Sequence, residues 1–361
     1  MRRARWIIKP KPDSPKPVIY HCISRVVNRE FVFETTEKEQ LRKFMRMYEV
    51  FSGNRVLSYC FMSNHIHLLL EIIPASPDGL TDDELLRRLR AIHSEAQVEE
   101  VAKELADARK TVADGLADES RVKSIHARFT YRMHDLSQFM KSFMQRYTQW
   151  HNGQHRRKGR LWEDRFKSLI VESGVAARTM AAYIDLNPVR AGMVADPAKY
   201  RWSSYGEAVG GGNKGNGKKA REGLVRACMS HEGAGFEAEK WQEVSRIYRR
   251  AMGLALGRKS GKANLDNQRR SQTAATVEES LAAKDNGTVL PDLGMAAMLL
   301  HRIRYFTDGA VIGSKAFVNE AFAAARERFG PRRKNGARAL RGGASAAKGM
   351  LWSARDLRAG V

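Results

Sequence analysis

Two histidines set two apart, His65 and His67, are the residues of this 361-residue chain whose types and spacing point most directly to chemistry. They lie in the run Leu57-Ser58-Tyr59-Cys60-Phe61-Met62-Ser63-Asn64-His65-Ile66-His67-Leu68-Leu69-Leu70-Glu71-Ile72. Its alternating and continuous apolar residues predict strand rather than helix. Side chains at i and i+2 of a strand share a face, so the two imidazoles are presented side by side from a rigid element. Paired imidazoles are a common way to hold a divalent metal. An isolated His-x-His fits equally a satisfied histidine at a sheet edge beside an incidental one. The rest of the chain has to decide between these. Asn64 fits a turn residue, and also a group that orients His65 or touches a DNA backbone. His21, on an earlier predicted strand, reads as structural.

A second pair stands further on. Tyr183 and Asn187 are four apart at the end of an alanine-rich helix, so they share a face. Pro188 ends that helix, because the residue before proline avoids the helical region. From spacing alone Tyr183 fits a core tyrosine as well as a nucleophile. Tyr147 is a rival, close to Lys141 and Arg146, but its nearest polar residue four positions on is His151. Arg190 fits a phosphate contact or a surface salt bridge.

The elements that must position these groups follow from pattern. Val18 to Val27 reads as a first strand, after a basic lead over 1–17 that is expected to be disordered and to end at Pro15 and Pro17. Phe31 to Phe33 continues the sheet or enters a turn. A helix over about Thr36 to Phe51 has Thr36 as its cap, Glu37 and Glu39 in its first turn, and Leu41, Phe44, Met45 and Tyr48 as its apolar stripe. Gly53 and Asn54 end it. Strands follow over about 55–62 and 65–72. From Pro74 to about Ala127 a charged helical insertion carries Leu85, Leu89 and Ile92 on one face, and Val98, Val101 and Leu105 on another. A helix over about 136–151 and a strand over 165–171 come next. A glycine-rich run, about 207–223, reads as a flexible linker. Beyond it the pattern is mostly helical and basic, over about Phe236 to Leu256, Leu293 to Tyr305, and Ala316 to Phe329 with Ser314 as a cap. A polar stretch, Arg258 to Ala275, separates the first two of these.

Charge narrows the partners. The formal net charge is +23 and the isoelectric point about 10.1. A field of that sign attracts polyanions, of which nucleic acid is the usual one; a ribosomal or membrane-surface role would fit the charge alone. Lys141, Arg146, Arg156, Arg157, Lys158, Arg160, Arg165 and Lys167 face only Glu163 and Asp164 across one stretch, interleaved with Tyr147, Trp150, Trp162 and Phe166. Cations for phosphates with aromatics for bases is a single-strand-binding composition. A solvated helix face over core aromatics has the same composition. Arg326, Arg328, Arg332, Arg333, Lys334, Arg338 and Arg341 make a second basic cluster, read as an accessory nucleic-acid-binding module or a solubilising tail. Cys22, Cys60 and Cys228 form no Cys-x-x-Cys pair, which argues against a zinc finger or a disulfide framework. There is no signal-peptide core at the start, and no apolar stretch nears the roughly 20 residues of a membrane span. A cytoplasmic protein with no membrane partner is expected.

Four ordered blocks carry a resemblance. They are Tyr20-His21-Cys22-Ile23-Ser24-Arg25; Met62-Ser63-Asn64-His65-Ile66-His67-Leu68-Leu69-Leu70; Gly159-Arg160-Leu161-Trp162-Glu163-Asp164-Arg165-Phe166-Lys167-Ser168; and Tyr183-Ile184-Asp185-Leu186-Asn187-Pro188-Val189-Arg190-Ala191-Gly192, trailed by Trp202-Ser203-Ser204-Tyr205. Together they resemble the single-tyrosine HUH transposases, the insertion-sequence-200-like superfamily, and most closely its REP-associated tyrosine transposases. Any one block alone is a weak signal; four in order over about 20–205 are specific. The insertion at 74–127 is longer than the family's usual connection.

The resemblance implies an α+β fold: a ferredoxin-like antiparallel sheet carrying the His pair, with covering helices, across a catalytic domain over 18–206. A linker over 207–223 and an α-helical module over 224–361 would follow. It implies Tyr183 as nucleophile, with His65, His67 and the oxygen of Asn187 holding Mg²⁺ or Mn²⁺. Two nitrogen ligands make Mn²⁺ a rival to Mg²⁺, and the set is too poor in nitrogen and sulfur for closed structural zinc. The cation would neutralise charge on a phosphodiester, a poor electrophile. Arg156, Arg157, Lys158, Arg160, Arg165, Lys167 and Arg190 are the expected DNA contacts. The expected partner is single-stranded hairpin DNA, and both monomer and homodimer occur in the family. Three functions stay open: strand transfer through a 5′-phosphotyrosine, non-catalytic DNA binding on the same scaffold, and metal-dependent phosphoester hydrolysis by water.

Overall fold

The computed structural model describes residues 5–8, 10, 16–212, 214–229, 240–252, 304–307, 309–329, 331, 333–339 and 351–354. The polar stretch 258–275, nearly all of the helix expected over 293–305, and Arg332 and Arg341 lie outside them. The chain divides into two compact units, one of residues 5–56 and 61–168, the other of 1–4, 57–60 and 169–361. The fold class is α+β, with mostly antiparallel strands, as the sequence implies. Among the described residues no helix is long and apolar enough to cross a membrane.

In the first unit, β1 (Val18–Arg25) leads to α1 (Thr35–Ser52), then to β2 (Arg55–Phe61) and β3 (His65–Ile72). The middle of β2, residues 57–60, belongs to the second unit. β1 and β3 run antiparallel, with Ile23 opposite His67 and Arg25 opposite His65. Phe31–Phe33 forms no strand; Phe33 instead donates its N–H to the Ser63 carbonyl. α1 is capped by Glu34, not by Thr36. The Glu34 side chain accepts from the Glu37 backbone and the Glu37 carboxylate accepts from the Glu34 N–H at 3.1 Å, a reciprocal pair that leaves Thr36 inside the first turn. Such a cap contributes about 1 kcal/mol. Gly53 ends the helix in the left-handed region, at φ 70°.

The insertion forms α2 (Asp82–Leu89), α3 (Glu95–Ala113) and α4 (Ser120–Thr130), burying Leu85, Leu89, Val98, Val101 and Leu105 as its stripes predict. α5 (Leu136–Gln154) packs on α1, with Phe139, Met140, Phe143 and Tyr147 inward. Phe139, Met140 and Phe143 each stabilise by roughly 1.5–3 kcal/mol when fully buried. Residues 5–8 of the lead are tied down. The Ile8 N–H donates to the Tyr20 hydroxyl at 2.7 Å, that hydroxyl donates to the Ile8 carbonyl at 2.5 Å, and Arg5 stacks on Phe166.

In the second unit, β4 (Lys167–Val171, its first two residues in the first unit) leads to α6 (Val175–Asp185), the short α7 (Asn187–Arg190), α8 (Ser204–Gly210), α9 (Gly215–Cys228) and α10 (Trp241–Ala251). Then come α11 (Arg304–Thr307), β5 (Val311–Gly313), α12 (Lys315–Ala324), β6 (Arg338–Ala339) and β7 (Trp352–Ala354). β5 pairs parallel with β4 and antiparallel with β7, which also pairs with β6. Ser314 caps α12, as expected, accepting from the Phe317 N–H at 3.2 Å.

Two expectations change here. The glycine-rich run is helical from Gly215, because Gly211 and Gly217 meet backbone to backbone and a Cβ on either would collide with the other. These glycines permit close packing of α8 and α9 rather than flexibility. The C-terminal region, read as helical, also contributes three short strands among its described residues.

Candidate active site

The histidine pair is built by β3 and braced by its neighbours. The His65 and His67 rings lie 5.0 Å apart at 76°, on one face of the strand. Asn64 donates its Nδ2–H to the Arg29 carbonyl at 2.9 Å, which turns Oδ1 toward His65 Nδ1 at 2.7 Å. An amide oxygen only accepts, so neutral His65 carries its proton on Nδ1 and its lone pair on Nε2. Asn64 is thus both turn residue and orienting group.

His67 is 2% exposed. Its Nδ1 lies 2.9 Å from Nε2 of His21, and the two rings stack at 5.2 Å and 13°. His21 sits opposite Leu69, one same-face step along from the partner of His67. One proton serves that contact. When His67 donates it, the His67 lone pair falls on Nε2, the tautomer that ligation through Nε2 requires. His21 therefore touches the candidate metal pair directly, a contact its place in the Tyr20–Arg25 block could have signalled.

Among the described residues no three His, Cys, Asp or Glu side chains gather round one point. Two imidazoles braced through Nδ1 fit a divalent ion whose remaining ligands are oxygens of amide, water or phosphate. They do not fit closed structural zinc.

The tyrosine helix lies in the other unit. Tyr183 is 1% exposed. Its ring stacks on Phe306 at 4.5 Å and 22°, and the Arg190 guanidinium lies 4.1 Å from its centroid. Arg190 Nη2 also donates to the Tyr183 carbonyl at 2.9 Å and to Asn187 Oδ1 at 2.7 Å. Asn187 Nδ2 donates to the carbonyls of Ile184 at 3.0 Å and Tyr183 at 3.3 Å, satisfying orphans of the helix end. The Asn187 oxygen thus accepts one hydrogen bond from a guanidinium and keeps a second lone pair. Arg190, expected on a DNA phosphate, is turned toward the tyrosine. Burial lowers its pKa from the ordinary value, and the nearby tyrosine opposes that shift.

Asp185, between Tyr183 and Asn187 in sequence, was not singled out from sequence. It is fully buried, and burial pushes its carboxyl up to about 7, against hydrogen bonds from Tyr248 and Tyr205. Tyr248 donates its hydroxyl to Oδ2 at 2.6 Å, and the Tyr205 N–H reaches Oδ1 at 3.0 Å. Stripping partners from a buried charge typically costs 3–5 kcal/mol, so these bonds decide whether the acid is tolerated. An acid on an alanine-rich apolar helix was the signal that could have found it.

Of the basic stretch, Arg156, Lys158, Arg160, Arg165 and Lys167 are exposed and Arg157 is half-buried, all in the first unit. The loop is pinned by Asn152 Nδ2 to the Gly159 carbonyl at 2.8 Å, with Arg156 at φ 49° and Gly159 at φ 89°. The interleaved aromatics Tyr147, Trp162 and Phe166 are core, and Trp162 Nε1 donates to Thr148 Oγ1 at 3.0 Å. The stretch presents cations outward without a stacking platform from those three rings.

Comparison with known proteins bears on one of these regions. The family described as "Transposase IS200 like" matches residues 16–78. That segment carries β1, α1, β2, β3 and both histidines of the pair. A solved structure, that of a REP-associated tyrosine transposase bound to a REP hairpin, aligns at 13% identity and a TM-score of 0.36, covering 60% of this chain and 89% of that one. No curated protein matches the chain.

Proposed function

We propose that this protein is a single-tyrosine DNA transposase. It would cleave and rejoin single-stranded, hairpin-forming DNA in the cytoplasm, as a monomer or a homodimer. The observation that carries the reading is the pair of braced imidazoles, His65 and His67, within the segment that matches the transposase family. Bound there, Mg²⁺ or Mn²⁺ would withdraw charge from the phosphate oxygens.

The Tyr183 oxygen attacks the scissile phosphorus and gives up its proton to an acceptor. The bond to the 3′ oxygen breaks, and that oxygen takes a proton to become the free 3′-hydroxyl. The 5′ side stays on the enzyme as a phosphotyrosine, which conserves the ester for rejoining. Asn187 would complete the ligands through its oxygen. Arg190, beside the ring, favours negative charge on the phenol oxygen. Arg156, Arg157, Lys158, Arg160, Arg165 and Lys167 hold the DNA backbone by charge.

One observation favours a second reading, a non-catalytic hairpin-binding protein. Tyr183 is 1% exposed, so its oxygen must be uncovered before it can react. Incubation with end-labelled single-stranded hairpin DNA and Mn²⁺ separates the readings. A denaturation-resistant adduct that disappears in Tyr183→Phe supports the first. Binding without cleavage supports the second.

A further inference from the structure

We propose that the region beyond the glycine-rich run acts as a positioning clamp on the tyrosine helix, through Tyr248 and Phe306. This rests on the strand-transfer reading and deepens it. The region reads from sequence as an accessory DNA-binding module, yet its described residues meet α6 directly. α10 and its C-cap turn Trp241, Val244, Tyr248 and Met252 inward, at steps of three and four residues. From that stripe the Tyr248 hydroxyl reaches the buried Asp185 carboxylate at 2.6 Å. The next residue, Arg249, binds Asp196 Oδ2 at 2.9 Å and the Tyr205 hydroxyl at 3.1 Å, and Tyr205 donates its N–H to the same Asp185. Phe306, from α11, stacks on Tyr183 itself.

Two side chains of one region thus hold positions 183 and 185 of one helix. A core needs no buried carboxylate, and leucine at 185 would pack without one. A carboxylate bonded by a tyrosine from a distant helix does something an apolar contact cannot: it fixes α6 at one rotation and one height. A nucleophile has to lie within a few tenths of an ångström of its attack line, and a displacement of about 1 Å can slow a reaction by roughly 100-fold. Neither Tyr248 nor Phe306 needs to touch DNA for this role.

The test uses the full-length chain with hairpin DNA and Mn²⁺. It measures adduct formation at saturating DNA separately from hairpin affinity. Tyr248→Phe should slow adduct formation by on the order of tenfold to 100-fold and leave affinity unchanged. Combining it with Asp185→Asn should restore none of the rate, because both changes break the one bond by which Tyr248 holds α6. Phe306→Leu should also slow the reaction at unchanged affinity.

An unchanged rate in Tyr248→Phe, a parallel loss of rate and affinity, or a double variant restored to near the wild-type rate would overturn the proposal. A faster Phe306→Leu enzyme would make that ring a cover rather than a clamp, and would overturn it too. If the wild-type chain forms no adduct, the strand-transfer reading itself fails and the clamp falls with it. An active wild type with an unaffected Tyr248→Phe removes the clamp alone.

Discussion

Nε2 of His21 lies 2.9 Å from Nδ1 of His67, ring stacked on ring. When His67 donates the shared proton, this contact leaves the His67 lone pair on Nε2. Removing such a partner typically weakens metal affinity 10–100-fold. For His21→Ala we expect the Mn²⁺ concentration for half-maximal cleavage to rise by about that factor, with hairpin binding in chelator unchanged. An unaltered metal requirement would mean that His21 only fills space.

Arg190 divides two roles sharply. Turned toward Tyr183 and Asn187, it acts on the chemistry; on a phosphate, it would act on binding. Arg190→Ala should slow adduct formation by roughly 100-fold, the scale of losing one preorganised charge. Hairpin affinity and its salt dependence should hold. Weaker binding with a salt slope reduced by about one would return it to a phosphate contact.

The exposed loop should behave in the opposite way. Arg156→Ala and Arg160→Ala should each weaken hairpin binding whatever its sequence, and lower the slope of log affinity against log salt by about one. Rates at saturating DNA should stay close to wild type. Titrations at several salt concentrations read this directly, and sequence-selective losses would show base readout instead.

His151 is a liability of the core. It is buried with neither ring nitrogen bonded, and burial, aided by the charges of His155 and Arg157, lowers it from 6.5 to about 4. The unfolded chain therefore takes up the proton first. The His151 contribution to stability is intact above pH 6.5 and is lost as pH falls toward 4. His151→Phe should raise Tm more at about pH 5 than at about pH 8. Equal gains at both would show that protonation of His151 is not what costs stability in acid.

Much of the fold was legible because its periodicities are strong. The strand carrying His65, the stripe of α1 with Leu41, Phe44 and Met45, and the Ser314 cap all follow from local pattern. What escaped depends on distant partners. Gly211 and Gly217 read as a hinge, but each serves the other's close approach. The strands at Val311 and Trp352 are three residues long, too short for alternation to register. In the candidate site, the shared face of the His pair was readable from the period of a strand. The link from His21 to His67 needed the β1–β3 register, and the bond from Tyr248 to Asp185 spans 63 positions. The inward turn of Arg190 had no local signature, since the same Pro-Val-Arg sequence would serve an outward arginine.

The central claim is that Tyr183 attacks DNA with help from an ion held at His65 and His67. Mass spectrometry of the protein after incubation with single-stranded hairpin DNA and Mn²⁺ tests it most directly. The account predicts a nucleotide remnant on Tyr183, absent in chelator, in a His65→Ala, His67→Ala double variant and in Tyr183→Phe. Cleaved DNA with an unmodified Tyr183, or an adduct on another residue, would contradict it.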